Sequence, residues 1–225
     1  MKIAYLSSLA HPDLCDYLAN SGHFIHTFPE LRTASELVAN HPDILLCKLG
    51  AKPESPIYEG APNELSPLYP DDCRYNAACT GKFFIHRLDI TDSELLAAAK
   101  ASCENELELI DVRQGYTKCS TVIVDENSII TYDKGIVKPC EAAGMNVLLV
   151  KPGFVKLRGA NTGFIGGASG RIDGEIVFNG DLSAHPNFRE ITAFIEGRGL
   201  GCKWFSSYEL EDIGSIITVT KSDSD

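Results

Sequence analysis

Ser8-Leu9-Ala10-His11-Pro12-Asp13-Leu14 returns, loosely, as Leu182-Ser183-Ala184-His185-Pro186-Asn187-Phe188. Each copy follows an apolar run and opens an amphipathic stretch that closes at glycine, Gly22 or Gly199, before another apolar run begins. The unit reads as strand, helix, strand, because apolar residues at helical spacing between two short extended runs have one face to bury against them.

Two further stretches fit the unit. One combines residues 82–85, 92–103 and 107–112; the other combines 121–124, 133–144 and 147–150. Polar corners at Tyr75, Tyr116, Ala160 and Ile213 each lead into an extended run. Recurrence at roughly 40 to 50 residues predicts modules that bury their faces against neighbours, hence one α/β domain over residues 1–225.

Local signals place the elements. Thr91 followed by Glu94 reads as a capping box opening a helix, and Phe188, Ile191, Phe194 and Ile195 recur at helical spacing after Pro186. Asp125-Glu126-Asn127 and Gly170-Arg171-Ile172-Asp173-Gly174 read as hairpin corners, the second following a strand at Phe164-Ile165. Residues 51–71, with Pro53, Pro56, Pro62, Pro67 and Pro70, read as an irregular excursion, a lid or a rim. The polar tail Lys221-Ser222-Asp223-Ser224-Asp225 reads as frayed.

Composition removes several classes of function. A net charge of −11 with 20 Lys plus Arg argues against a nucleic-acid surface and leaves a small cationic molecule as the partner class. No apolar stretch approaches the ~20 residues of a spanning helix, so a cytoplasmic protein without membrane contact is expected. Eight cysteines contain no C-x-x-C pair, and neither a metal, a cofactor nor a disulfide framework is expected.

The stretch Gln114-Gly115-Tyr116-Thr117-Lys118-Cys119-Ser120-Thr121-Val122-Ile123-Val124-Asp125-Glu126-Asn127, with Asn161 to Gly170 and Gly180 to Pro186, resembles a bacterial branch of the pentein, or guanidino-group-modifying, superfamily. The resemblance covers most of the chain from about residue 70. It implies an α/β propeller of about five pseudo-symmetric strand-helix-strand modules. The fifth would be shared between the termini, with Ser215 to Lys221 beside Lys2 to Leu6, and residues 41–50 would supply an inner strand. It also implies a thiolate that attacks a guanidinium carbon, a histidine that shuttles protons and carboxylates that hold the cation.

The enzymes so resembled carry their cysteine at the start of the final Gly-rich strand, where this chain has Gly214-Ser215-Ile216. By module alignment Cys119 is the substitute, at the start of an inner strand, with Lys118 beside it; the alternative is an idle buried thiol. His185 is the candidate proton carrier and Asp181 its orienting partner, although the His11 copy equally suits a helix-capping role. Asn76, Asn161 and Asp212 would rim the channel, with Asp125 binding or orienting. His86 reads as a satisfied polar residue and Gly166 to Gly170 as a turn. The expected activity is a Cys-dependent hydrolase or transferase on a guanidine- or amidine-like group. The alternative is a non-catalytic binding protein that kept the propeller and lost the site.

Overall fold

A computed structural model describes residues 1–103 and 107–221. The chain opens with β1 (Lys2–Ser7), α1 (Pro12–Asn20) and β2 (His23–Phe28), then β3 (Leu46–Lys48) and β4 (Ile57–Glu59). Next come β5 (Ala78–Cys79), β6 (Phe83–His86), α2 (Ser93–Ser102) and β7 (Glu108–Asp111). They are followed by α3 (Thr117–Ser120), β8 (Thr121–Asp125), β9 (Ser128–Thr131), α4 (Lys134–Ala142) and β10 (Asn146–Leu149). The last group is β11 (Ser169–Ile172), β12 (Glu175–Phe178), α5 (Phe188–Glu196), β13 (Gly201–Lys203) and β14 (Ile217–Thr220).

The strands form small separate sheets in a mixed α/β fold: β14-β1-β2, β3-β4, β5-β6-β7, β8-β9-β10 and β11-β12-β13. In each three-stranded sheet the middle strand pairs antiparallel on one side and parallel on the other. A parallel partner requires a crossover, and α1, α2, α4 and α5 supply it. The repeated unit is therefore a hairpin, a helix and a parallel strand. The termini meet, since β14 runs antiparallel to β1 with Lys2 opposite Thr220. Between sheets, β3 neighbours β5, β5 neighbours β8, β8 neighbours β11 and β11 neighbours β14.

Three helices, α1, α2 and α4, are fixed by a side-chain cap at the N-terminus and by buried apolar residues along one side. In α1, Leu14 and Leu18 are fully buried, each contributing about 1.5–3 kcal/mol of transfer free energy. The His11 side chain accepts the Asp13 N–H at 3.2 Å. The α2 cap is Asp92, one residue later than the sequence suggests, and its carboxylate accepts from the N–H groups of Glu94 and Leu95. Thr91 is unavailable because its hydroxyl meets His86 Nδ1 at 2.7 Å.

Other boundaries shift for local reasons. The β11-β12 hairpin turns on Asp173-Gly174, with Asp173 at φ 49°, and its first strand is β11 rather than Phe164-Ile165, which lies in a loop. The Pro-rich excursion holds β4, whose pairing with β3 gives that segment one short regular element. Residues Ser222 to Asp225 of the polar tail lie outside the described residues. Among the described residues, no helix is long and apolar enough to cross a membrane.

Candidate functional site

The site is built where the segments holding Asp43, Asn76, Cys119, Gly166 and Ser215 meet. Cys119 sits in the single turn α3, just ahead of β8 rather than on it. Asn76 causes the turn: its carbonyl accepts Lys118 N–H at 2.9 Å and its Oδ1 accepts Cys119 N–H at 3.1 Å. The Asn76 amide uses its two hydrogens on Asp43 O, at 2.9 Å, and on Cys119 Sγ, at 3.3 Å. One buried side chain thus ties the thiol to residues 41–44.

Residues 42–44 form a 3-10 turn after His41, anchored by Asp43 N–H on Gly214 O at 3.2 Å. Asp43 Oδ2 accepts from the Cys119 thiol at 3.0 Å and from the Ser215 hydroxyl at 2.6 Å. Lys118 Nζ donates to Ser215 Oγ at 2.9 Å and to Gly166 O at 3.2 Å. Lysine, serine, aspartate and cysteine therefore form one connected chain of hydrogen bonds.

Asp212 closes the other side. Its two oxygens accept Gly214 N–H and Phe164 N–H, each at 3.0 Å, and His41 Nδ1 stands 3.8 Å from Asp212 Oδ1. Glycine is required at two positions here. A Cβ on Gly167 would lie 2.0 Å from Asp212 Oδ1, and one on Gly214, at φ 73°, would lie 2.2 Å from His41 Cβ. Ser215 also takes a left-handed conformation, φ 72°, held by its N–H on Gly167 O at 2.7 Å and by Asp43. A non-glycine residue held so costs about 1–3 kcal/mol, a cost the surrounding bonds must offset.

Burial sets the electrostatics. Desolvation pushes the Cys119 thiol well above its ordinary pKa, and the charge of Asp43 adds to it. Desolvation lowers the Lys118 ammonium, against the pull of Asp43 and Cys119. It raises Asp212, with His41 opposing. The resting site thus holds a protonated thiol.

Two polar atoms in this dry cluster have no hydrogen-bond partner: Asp43 Oδ1 and His41 Nδ1. Buried groups of this kind cost free energy unless a further partner satisfies them. His41, Cys119 and Asp212 offer nitrogen, sulfur and oxygen atoms within 4.8 Å of one another, a donor set that suits a borderline divalent ion such as zinc. The Lys118 ammonium already supplies one positive charge at that point, and both Asp212 oxygens already accept backbone N–H groups.

Of the residues singled out in the sequence, Cys119, Asn76, Lys118 and Asp212 come together here. The others do not. His185 Nδ1 accepts Asn187 N–H at 3.0 Å and its Nε2 meets Lys151 O at 3.1 Å, which makes it a cap like His11. Asp181 bonds to Ser183 rather than to His185. Asn161 is exposed and lines an open groove with Asp181. Asp125 caps its own hairpin turn through Asn127 N–H. His86 is satisfied, with Nε2 on the carbonyls of Cys73 and Gly115.

Sequence reasoning missed His41, Asp43 and Ser215. A signal existed, since His41-Pro42-Asp43 is a third His-Pro pair and repeats His11-Pro12-Asp13. Of the three histidines, His11 and His185 cap backbone N–H groups through Nδ1, whereas the Nδ1 of His41 is left free.

The chain belongs to a family of unknown function, DUF6873, whose model matches residues 6–217. No curated protein and no solved structure matches it.

Proposed function

We propose that this family member is a pentein-like α/β propeller whose central cluster is a thiol site acting on a guanidine- or amidine-like carbon. The repeated hairpin-helix-strand sheets and the succession of neighbouring strands support the fold reading. The observation that carries the functional reading is the pair of buried, unpartnered atoms, Asp43 Oδ1 and His41 Nδ1, beside the Cys119 thiol. An acceptor on a carboxylate next to a nucleophile is what an amidinium N–H fork needs. Asp43 and Asp212 supply the two carboxyl groups that such a cation would meet.

The chemistry follows from the raised thiol pKa. An amidinium seated on the open oxygen of Asp43 brings a positive charge beside the sulfur and favours its ionisation, the proton leaving through Asp43 or His41. The S–C bond forms as the C=N electron pair moves onto nitrogen. His41 then protonates the leaving amine as the C–N bond breaks, leaving an S-amidino intermediate. Water, deprotonated by His41, attacks the same carbon; the C–S bond breaks and its electron pair returns to sulfur, releasing a urea or amide and the thiolate. Lys118 acts through Ser215 to hold Asp43 in place.

His41 thus takes the role that the sequence suggested for His185. Ser215 stands at the start of the last strand, where the resembled enzymes carry their cysteine, and bonds to the same Asp43 oxygen as Cys119. That shared oxygen supports Cys119 as a displaced nucleophile serving the same centre.

The test is ammonia or amine release from a panel of small guanidines and amidines, with Cys119→Ala and His41→Ala alongside. Turnover lost in both variants is expected. Turnover retained in Cys119→Ala would overturn the thiol mechanism. The near-complete burial of Cys119, 1% exposed, favours a second reading, a non-catalytic binding protein. Saturable binding of the same compounds without product would select it.

A further inference from the structure

We propose a second site, for a carboxylate-sized anion, in the cavity between β3, β8, β11 and β14 that Lys48, Arg171 and Lys118 line. The cavity measures about 40 Å³, several times the ~10–15 Å³ that a single water requires. Its other walls are mostly aliphatic, among them Leu46, Val122 and Ile216.

The charge on its walls is of one sign. Three cationic side chains line it and no carboxylate does, in a chain whose net charge is −11. Arg171 donates to Val124 O through Nη1 at 3.0 Å, while its Nε is buried without an acceptor. The Lys48 side chain has no hydrogen-bond or ion-pair partner among the described residues. Burial, with the charge of Arg171, pulls Lys48 down to about 8, against the smaller pull of Glu54 and Asp173. Cations gathered around a cavity with no carboxylate on its walls are costly to bury, and an oxyanion between Lys48 and Arg171 reduces that cost while accepting charge-assisted hydrogen bonds.

The occupant is a carboxylate group, either a free small ion or the end of a longer molecule. Lys118 lines the cavity and also bonds Ser215 in the thiol cluster, so a longer ligand held here would point toward that cluster. The site rests on Lys48 and Arg171, not on the thiol, and stands whether or not Cys119 is a nucleophile.

The test is titration with sodium acetate and sodium hexanoate at fixed ionic strength, read by calorimetry and by melting temperature. The comparison uses wild type, Lys48→Gln, Arg171→Gln and, as a surface control, Glu36→Gln. Saturable binding, weakened about tenfold or more in Lys48→Gln and Arg171→Gln and unchanged in the control, is expected. Tighter hexanoate binding assigns the end of a longer ligand; equal binding assigns a free ion. Absence of saturable binding, or binding unaltered by both cavity variants, overturns the proposal. If the variants fail to fold, a bromide-soaked wild-type crystal decides: an anomalous peak between Lys48 and Arg171 supports the site, and none there overturns it.

Discussion

Asp43 and Cys119 lie 76 residues apart in sequence and 3.0 Å apart at carboxylate and thiol. Neither group is exposed, and the carboxylate keeps one oxygen without a partner. A buried acceptor left open beside a nucleophile is a costly arrangement to maintain for stability alone. The consequences can be tested one at a time.

Gly167→Ala places a methyl 2.0 Å from Asp212 Oδ1. The carboxylate must leave its two backbone N–H donors, so activity on any guanidine or amidine substrate should fall about 100-fold. Stability should fall by about 1–3 kcal/mol. Steady-state rates together with denaturant midpoints separate the two effects. Unchanged rates would remove Asp212 from the site.

His185→Ala removes a cap, not a proton carrier. It should cost about 1–3 kcal/mol in denaturant unfolding, through the two backbone hydrogen bonds lost in the turn before α5, and leave turnover per folded molecule intact. His41→Ala should do the reverse, abolishing turnover. Loss of turnover in His185→Ala would reverse the assignment made from its bonds to Lys151 and Asn187.

His86 makes the fold acid-sensitive. Burial lowers it from 6.5 to about 4, so in the folded protein it stays neutral while the unfolded chain already takes up a proton. The stabilisation is fully present above pH ~6.5 and is lost as pH falls toward 4, amounting to about 3 kcal/mol. His23 and His185 shift in the same direction. Urea midpoints between pH 7 and pH 4.5 should therefore fall with acid, and the slope should be shallower in His86→Asn. An equal slope in that variant would contradict the assignment.

The repeat was legible because it rests on local signals: helix periodicity, β-branched runs and glycine stops. The His11 and His185 caps show why the motif recurs, since each histidine satisfies an orphan backbone N–H two residues on. Half the site was legible for the same reason, with Asn76, Lys118, Cys119 and Asp212 at module corners. The remainder was hidden by context. His41-Pro42-Asp43 carries the capping motif, and only packing against Gly214 and Asp212 diverts it to the cluster. Ser215 reads as an ordinary strand start until its positive φ and its bond to Asp43 are seen. Asp181 and Asp125 were drawn in by proximity in sequence, yet short acidic side chains at turns bond first to the N–H groups beside them.

The most direct measurement is the rate of Cys119 modification at pH 6.5 by a cationic haloacetamidine, compared with neutral iodoacetamide and located by peptide mapping. The account predicts that the cationic reagent labels Cys119 selectively and that Asp43→Asn removes the preference, because the carboxylate draws the cation to a thiol that is otherwise protonated. Cys119 left unlabelled, or labelled no faster than Cys15 or Cys202, would contradict it.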